Sequence, residues 1–183
     1  MRSLRVLPAL SALFLLVLSP ATSWAASASE LATRADAAIV RLEAAAPEAR
    51  ELMSKASGVL VFPRVIKAGM GIGGEYGEGV LRVGGQPVEY YSTASASIGF
   101  QLGAQSKAQF ILFMTDQSLA DFRAARGWEV GVDGSVTLVK IGTGGSIDTT
   151  SATDPVIAFV LADRGLMYDL SLAGTKFTKI VKE

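Results

Sequence analysis

Neither cysteine nor histidine occurs among the 183 residues of the sequence. The absence of cysteine excludes disulfides, thiolate metal ligands and a lipid anchor on an N-terminal cysteine. The absence of histidine excludes Ser-His-Asp and Cys-His catalysis and histidine metal sites. An enzyme would have to use paired carboxylates, a Ser-Lys arrangement or a tyrosine, and we identify no catalytic residue. We therefore predict a protein that is not an enzyme and that uses no metal and no cofactor.

The sequence also lacks an excess of charge of either sign. It carries 17 basic and 17 acidic residues, and loss of Arg2 and Arg5 with a signal peptide would leave 15 against 17, a net charge of −2. This balance gives no electrostatic footprint for nucleic acid, so we predict no nucleic-acid partner. Attraction to an anionic membrane would need a local basic patch rather than the overall charge.

Residues 1–25 have the order of a secretory signal peptide. Two arginines are followed by an apolar run over 6–18 and then by Ser23-Trp-Ala25, which places small residues where signal peptidase cleaves. We predict cleavage after Ala25, with Ala28 as a second candidate. The apolar run is shorter than the roughly 20 residues of a comfortable membrane span, and an uncleaved anchor is the alternative. We therefore expect a periplasmic or otherwise exported protein.

Two helices are predicted after this segment. The first runs from Ser27 to about Ala45, because Ser27 and Glu30 fit a capping box and apolar residues recur at helical spacing. Pro47 suits the first turn of a second helix over 48–55. The first helix either packs on the domain or lies on a membrane surface. Its apolar face is mostly alanine, which buries little area per residue, and this favours packing.

A glycine-rich segment, residues 67–79, occupies the middle of the sequence. Its glycines are Gly69, Gly71, Gly73, Gly74, Gly77 and Gly79. Met70, Ile72 and Tyr76 recur among them at the period of a strand, which argues against a flexible linker. Glycine inside a strand marks a bulge, a bend or the close approach of another backbone. We therefore predict a strongly bent strand, in which Gly74→Val is expected to cost about 1–3 kcal/mol of stability.

Part of this segment also fits the dinucleotide-binding fingerprint G-x-G-x-x-G. The match uses Gly69, Gly71 and Gly74 after an apolar run. The fingerprint requires a helix to begin directly after the glycines, because the helix N-terminus holds the pyrophosphate. More glycine and a β-like run follow here instead. We therefore do not expect nucleotide binding.

Strands are predicted along most of the remaining chain. The apolar run 59–62 is expected to end at Pro63, and Gly84-Gly85 is expected to close a hairpin into residues 88–91. Two further strands are predicted over 95–104 and 108–114, and the second of them is expected to be central. A helix follows from Thr115 or Asp116 to Ala125 and is ended by Gly127. The rest of the chain is predicted as a hairpin of 128–132 with 135–141 across Asp133-Gly134, a loop over 142–154, and a hairpin of 156–160 with 166–172.

Two acids of the glycine-rich segment, Glu75 and Glu78, are the nearest to a carboxylate pair. Their odd spacing puts them on opposite faces of a regular strand, and only a bulge at Gly77 would bring them together. Charged residues are mostly exposed in folded proteins. We therefore interpret both as solvated residues at a strand edge.

Three cations flank the same segment: Lys67, Arg64 and Arg82. They are either scattered surface charges or a small basic site beside exposed backbone N–H groups, able to meet a lipid head group or another anion. We take these three residues as candidate head-group ligands. Lys107 and Arg164 would join them only if the fold brings them there.

Three blocks of the sequence resemble the SYLF-domain family, also called DUF500. Residues 57–79 look like the opening of that domain, residues 94–105 like its second block, and residues 164–174 like its closing block. The blocks keep the order of the family and cover most of the chain after about Ala46. The resemblance implies lipid or membrane association. It also implies a relation to eukaryotic members described as phosphoinositide binders and actin regulators, including the fungal proteins.

From the elements above we predict one α+β domain over residues 26–183. Its part over 26–56 is helical, and its part over 57–183 is a mainly antiparallel, strongly curved sheet or barrel-like sandwich. The expected function is that of an exported lipid-binding module of a bacterial cell envelope, with a lipid, a fatty acid or a membrane surface as partner. An actin partner is not expected, because export removes the protein from cytoplasmic actin. The alternative is a structural or protein-interaction module without a small-molecule ligand.

Overall fold

The computed structural model describes residues 26–139, 154–162 and 172–183. The helices in these ranges are α1 (Ala28–Ala45), α2 (Glu48–Lys55) and α3 (Asp116–Ala124). The strands are β1 (Gly58–Val83), β2 (Gln86–Phe113), β3 (Trp128–Glu129), β4 (Thr137–Val139), β5 (Val156–Ala162) and β6 (Lys176–Ile180). The predicted α+β class is confirmed, with helices first and then a mostly antiparallel, strongly curved sheet. The predicted signal peptide lies outside the described residues.

The helices begin where local signals place them. The Ser27 hydroxyl accepts a hydrogen bond from the backbone N–H of Glu30 at 3.1 Å and so caps α1, as the capping-box pattern predicts. Thr115 caps α3 in the same way through the N–H of Ser118. Helix α3 ends at Ala124, within one residue of the predicted end, and its C-cap is Ala125 rather than Gly127.

Strands β1 and β2 form one long antiparallel hairpin, with 26 and 28 residues. Its turn is Gly84-Gly85, as predicted, and both glycines have positive φ, 57° and 79°, which a two-residue turn of this type requires. The prediction that Pro63 ends a strand is wrong. β1 continues through Pro63 because the proline lies at a register shift between Phe62 and Val65, where no ladder hydrogen bond is needed from its nitrogen.

The hairpin curls so far that β1 contacts itself. An added Cβ on Gly77 would lie 2.7 Å from the carbonyl oxygen of Arg64, and one on Gly79 would lie 2.6 Å from that of Val61. In a straight strand, two residues that are twelve positions apart, such as residues 65 and 77, would lie about 40 Å from each other. The chain therefore bends back between these contacts, within the glycine-rich segment, and the two halves of the hairpin lie face to face. This confirms that the segment is a bent strand closely approached by another backbone.

The strand order is β3-β6-β2-β5-β4, with β1 also paired to β2. Strand β2 lies between β1 and β5 along residues 107–113, which confirms that the apolar run 108–114 is central. The three separate strands predicted over 88–114 are one strand in the structure. Strand β6, which pairs with residues 90–94 of β2, was not predicted, because Phe177 is its only fully buried residue and gives too short an alternation.

The predicted hairpin across Asp133-Gly134 is wrong. β3 pairs antiparallel with β6, whereas β4 pairs parallel with β5 on the other side of the sheet. A compact turn separates the two strands: Gly131 has a φ of 90°, and an Asp133 carboxylate oxygen accepts from the N–H of Glu129 at 2.7 Å. In the last predicted hairpin the first strand is present as β5. Residues 163–171, and with them most of the second strand, lie outside the described residues, as does the predicted loop from 142 to 153.

The curled sheet has an apolar core on each face. On its concave face α3 inserts Phe122, whose ring centroid lies 4.8 Å from that of Tyr91 and 4.6 Å from that of Phe113. On its convex face α1 buries the alanine-rich stripe that ends in Leu42 against Phe110 and its neighbours. This confirms that α1 packs on the domain.

Candidate functional site

The three candidate head-group residues lie in three different places. Lys67 points into the concave face, where its side chain is 12% exposed. Arg82 lies under α1, with its side chain 13% exposed. Arg64 is exposed beside the bulge at Pro63. They therefore do not form one basic site, and the role of each in binding a head group stays a prediction. Arg164 lies outside the described residues.

Lys67 belongs to a cluster of ionised side chains inside the curl. Glu75 accepts from Lys107 Nζ at 2.7 Å, and its other carboxylate oxygen lies 3.8 Å from Lys67 Nζ. The side chains of Glu75 and Lys107 are 9% and 3% exposed. Glu75 is therefore not the solvated strand-edge residue that the sequence predicted. Strand alternation puts it on the concave face, and the curl brings the two lysines over it.

Glu78 is also paired rather than solvated. Its carboxylate accepts from Lys182 Nζ at 2.6 Å, and the Lys182 side chain is 6% exposed. The same ammonium donates to the backbone carbonyl of Ala26 at 3.0 Å. This contact, with the hydrogen bond from the N–H of Ala28 to the carbonyl of Glu183, fixes the start of α1 to the last residues of the chain.

A cleft of about 370 Å³ lies between the two N-terminal helices and the turn of the long hairpin. Apolar side chains of α1, α2 and β1 line it, among them Ile39, Met53 and Val59. Arg82 stands in its wall, where one terminal nitrogen donates to Asp36 of α1 at 2.6 Å. The buried Nε of Arg82 has no hydrogen-bond partner among the described residues. The cleft therefore joins an apolar surface to a guanidinium in its wall, and this combination suits a small amphiphile.

A second, shallower pocket lies on the other flank of α1. Three arginines line it, Arg34, Arg41 and Arg64, together with two alanines and Pro63. Arg34 is ion-paired with Glu30 on the solvent side. The sequence indicates part of this pocket, because Arg34 and Arg41 are seven residues apart and so lie on one face of a helix. Their meeting with Arg64 depends on the packing of α1 over the bulge.

Glu89 of β2 joins three elements on the concave side. One carboxylate oxygen accepts from Arg123 of α3 at 2.7 Å and from Lys179 of β6 at 2.8 Å, and the other accepts from the Tyr91 hydroxyl at 2.7 Å. The hydrogen bond from Arg123, helped by those from Lys179 and Tyr91, lowers the pKa of Glu89 to about 2. Burial, with the Glu89 carboxylate beside it, raises the pKa of Tyr91. The cluster is a structural clamp, because its members are paired with one another.

We expect Glu89 to control part of the acid stability. The pKa of Glu89 is about 2 in the folded chain, below the ordinary glutamate value of 4.5. Its contribution is therefore complete above pH 4.5 and is lost as the pH falls towards 2. With its partners partly exposed, that contribution is about 2–3 kcal/mol. In urea unfolding, Glu89→Gln should be less stable than the parent at pH 6 and nearly equal to it at pH 2. A stability difference independent of pH would contradict this.

Residues 94–182 match the family model Ysc84, described as "Las17-binding protein actin regulator". No curated protein matches the chain. The matched region begins within β2 and includes β5 and β6, and the SYLF resemblance carried by residues 57–79 precedes it. This match supports the assignment of the chain to the SYLF-domain (DUF500) family. This family is linked in general to lipid binding and actin regulation and is not a known enzyme family.

Among the residues that the structure describes, no helix is both long and apolar enough to cross a membrane.

Proposed function

We propose that the chain is an exported, non-enzymatic lipid-binding module that holds one acyl chain in the cleft beside Arg82. The observation that carries the proposal is the cleft itself, in which apolar side chains and the mostly buried guanidinium of Arg82 line one cavity. Its volume of about 370 Å³ is at the low end for ligand pockets, which suits one chain rather than two. The general link of the family to lipids supports the same function.

The acyl chain supplies most of the affinity in this proposal. Each buried methylene contributes roughly 0.8 kcal/mol, so a partly buried chain gives micromolar affinity after the cost of association. Arg82 adds selectivity, because a charge-assisted hydrogen bond in a mostly buried place contributes about 1.5 kcal/mol or more. Anionic amphiphiles are therefore favoured over neutral ones, and export makes envelope lipids, not cytoplasmic actin, the relevant partners.

Binding should respond differently to two substitutions in the cleft. In titrations with a fatty acid, the parent is expected to saturate at tens of micromolar. Met53→Trp, which fills the cleft, should abolish binding. Arg82→Gln should weaken fatty-acid binding about tenfold and leave a neutral monoacylglycerol almost unaffected.

The neighbouring arginines supply the controls for this experiment. Arg50 lines the same cleft but is 74% exposed and already paired with Glu43, so Arg50→Gln should change little. Arg64→Gln alters only the pocket on the other flank of α1. If Arg64→Gln lost the preference for the fatty acid over the monoacylglycerol while Arg82→Gln kept it, the head group would have to bind outside the cleft. No saturable binding by the parent would leave the structural or protein-interaction module as the function.

Export should give a mature chain that begins at Ala26. Ser27 caps α1, and Lys182 donates to the carbonyl of Ala26, so cleavage after Ala28 would remove both contacts. Loss of a serine cap costs about 1 kcal/mol, which favours cleavage after Ala25. N-terminal sequencing of the protein from the envelope fraction checks this. A chain that begins at Met1 and remains in the cytoplasm would contradict export, and one that begins at Ser29 would contradict the cleavage position.

A further inference from the structure

The pocket on the second flank of α1 concentrates positive charge. Arg34, Arg41 and Arg64 line it, and no carboxylate of the described residues does. Its volume is about 380 Å³, which leaves room for a small polar group. The exported chain as a whole is expected to carry a slight negative charge, so this local excess of cations is not a reflection of the overall composition. We call this feature the arginine pocket.

Helix α1 holds two of these arginines at a fixed distance. Arg34 and Arg41 are seven residues apart, so their Cα atoms are separated by about 10 Å along one face of the helix. Ala37 lies between them, and its small side chain leaves space above the helix. Arginine side chains are long enough to lean into this space from both ends. Their guanidinium groups can therefore meet on one ligand placed over Ala37.

Strand β1 brings the third arginine to the same place. The register of β1 with β2 shifts between Phe62 and Val65, so Pro63 and Arg64 lie outside the ladder of paired residues. Irregularities of this kind re-aim a side chain, and Arg64 is exposed and lines the pocket together with α1. The grouping of the three guanidiniums is therefore set by the packing of α1 on β1.

The acids of α1 do little to offset this charge. Glu30 pairs with Arg34, but the two side chains are 51% and 53% exposed, so the pair contributes little and is easily exchanged. The other two acids of the helix pair with arginines of the cleft on the opposite flank. Arg64 has no ion pair within the described parts of the chain. An anion can therefore enter the arginine pocket without breaking a buried ion pair.

We propose that Arg34, Arg41 and Arg64 form a binding site for a phosphate monoester. Guanidinium groups match phosphate oxygens with paired hydrogen bonds. A monoester offers three acceptor oxygens and close to two negative charges at neutral pH, so it can engage cations that approach from different directions. The site is separate from the cleft beside Arg82 and does not rest on the function proposed for that cleft. A soluble phosphate ester and the phosphate of a lipid head group share this chemistry.

Titration of the isotopically labelled exported chain with glycerol 3-phosphate tests the site by nuclear magnetic resonance. The Nε–H resonance of each arginine reports whether its guanidinium meets the ligand, and sodium chloride keeps the ionic strength constant. The resonances of Arg34, Arg41 and Arg64 should shift together and saturate with one dissociation constant. We expect that constant in the low millimolar range, because the three side chains are exposed. Shifts that do not saturate, or that Arg82 and Arg126 show equally, would overturn the proposal.

Two matched variants remove one positive charge each. Arg64→Gln should weaken the binding of glycerol 3-phosphate about three- to tenfold, because one charge-assisted contact is lost at an exposed site. Arg126 is also exposed and has no ion pair among the residues that the structure describes, but it does not line the pocket. Arg126→Gln should therefore bind like the parent. Equal affinity of Arg64→Gln and the parent, or equal weakening in both variants, would contradict the site.

Vesicles separate the two sources of the phosphate. Co-sedimentation is measured with phosphatidylcholine vesicles in which one fifth of the lipid is phosphatidic acid, and pure phosphatidylcholine vesicles are the control. Binding to the phosphatidic acid vesicles that Arg64→Gln loses and Arg126→Gln keeps identifies a lipid head group as the source. Saturation by glycerol 3-phosphate without such vesicle binding identifies a soluble phosphate ester.

Discussion

Gly79→Ala is expected to destabilise the chain by about 3 kcal/mol or more, a large part of the roughly 5–15 kcal/mol that stabilises a typical domain. The added Cβ would lie 2.5 Å from a ring carbon of Phe62 and 2.6 Å from the carbonyl oxygen of Val61. Both neighbours are fully buried on β1, and the oxygen is backbone, so neither can move without opening the curl. Urea unfolding followed by circular dichroism measures the loss.

Gly74→Ala is the matched control for this substitution. Gly74 lies in the same glycine-rich segment, but its Cβ would meet only the carbonyl oxygen of Ser95, at an ordinary 3.6 Å. The stability of the Gly74→Ala variant should differ from that of the parent by less than about 0.5 kcal/mol. From the sequence we expected a side chain at position 74 to disturb the packing. In the structure it is at Gly77 and Gly79 that an added Cβ would clash. Equal stability of the Gly79 variant and the parent would contradict the face-to-face contact.

Glu75→Gln should cost about 3–5 kcal/mol, because it leaves Lys67 and Lys107 buried without a counter-charge. The glutamine retains the shape and one acceptor of the glutamate, so lost packing contributes little. We expect a large fall in Tm, and differential scanning calorimetry measures it.

A surface ion pair provides the comparison for Glu75. Glu51 accepts from Lys55 at 2.6 Å, yet its side chain is 70% exposed and that of Lys55 is 61% exposed. Because exposed pairs contribute little, Glu51→Gln should leave the stability almost unchanged. If Glu75→Gln lost no more stability than Glu51→Gln, the charges inside the curl would have to be hydrated. The conclusion that Glu75, Lys67 and Lys107 form a buried cluster would then be contradicted.

Local signals were enough to predict the helices and the main turn. Ser27 and Thr115 cap the helices that follow them, and Gly84-Gly85 takes the positive φ values of a tight hairpin. Each of these features depends on a few neighbouring residues. The α+β class follows from the same local patterns, since helical spacing and strand alternation occupy separate parts of the chain.

Strand partners could not be predicted in this way. Seven residues separate the end of β3 at Glu129 from the start of β4 at Thr137. The two strands nevertheless pair on opposite sides of the sheet. The dipeptide Asp133-Gly134 favours a hairpin locally, but pairing with β6 and β5 buries Trp128 and Val139, which a small exposed hairpin would leave in water. Tertiary packing overrides the turn preference here.

The candidate sites depend even more on distant contacts. Glu75 looks solvated in the sequence and becomes buried only because the curl places Lys67 and Lys107 over it. The position of Arg82 in a cleft depends on where α1 crosses the hairpin. The sequence could therefore name the cations, but it could not show that they belong to three separate places.

Photocrosslinking tests the lipid cleft most directly. The mature chain is irradiated with a fatty acid that carries a diazirine near its methyl end, and labelled peptides are mapped by mass spectrometry. The cleft beside Arg82 predicts saturable labelling of the peptides that contain Ile39, Met53 and Val59, competed by unlabelled fatty acid and lost in Met53→Trp. Labelling elsewhere, or labelling of these peptides that persists in Met53→Trp, would contradict it.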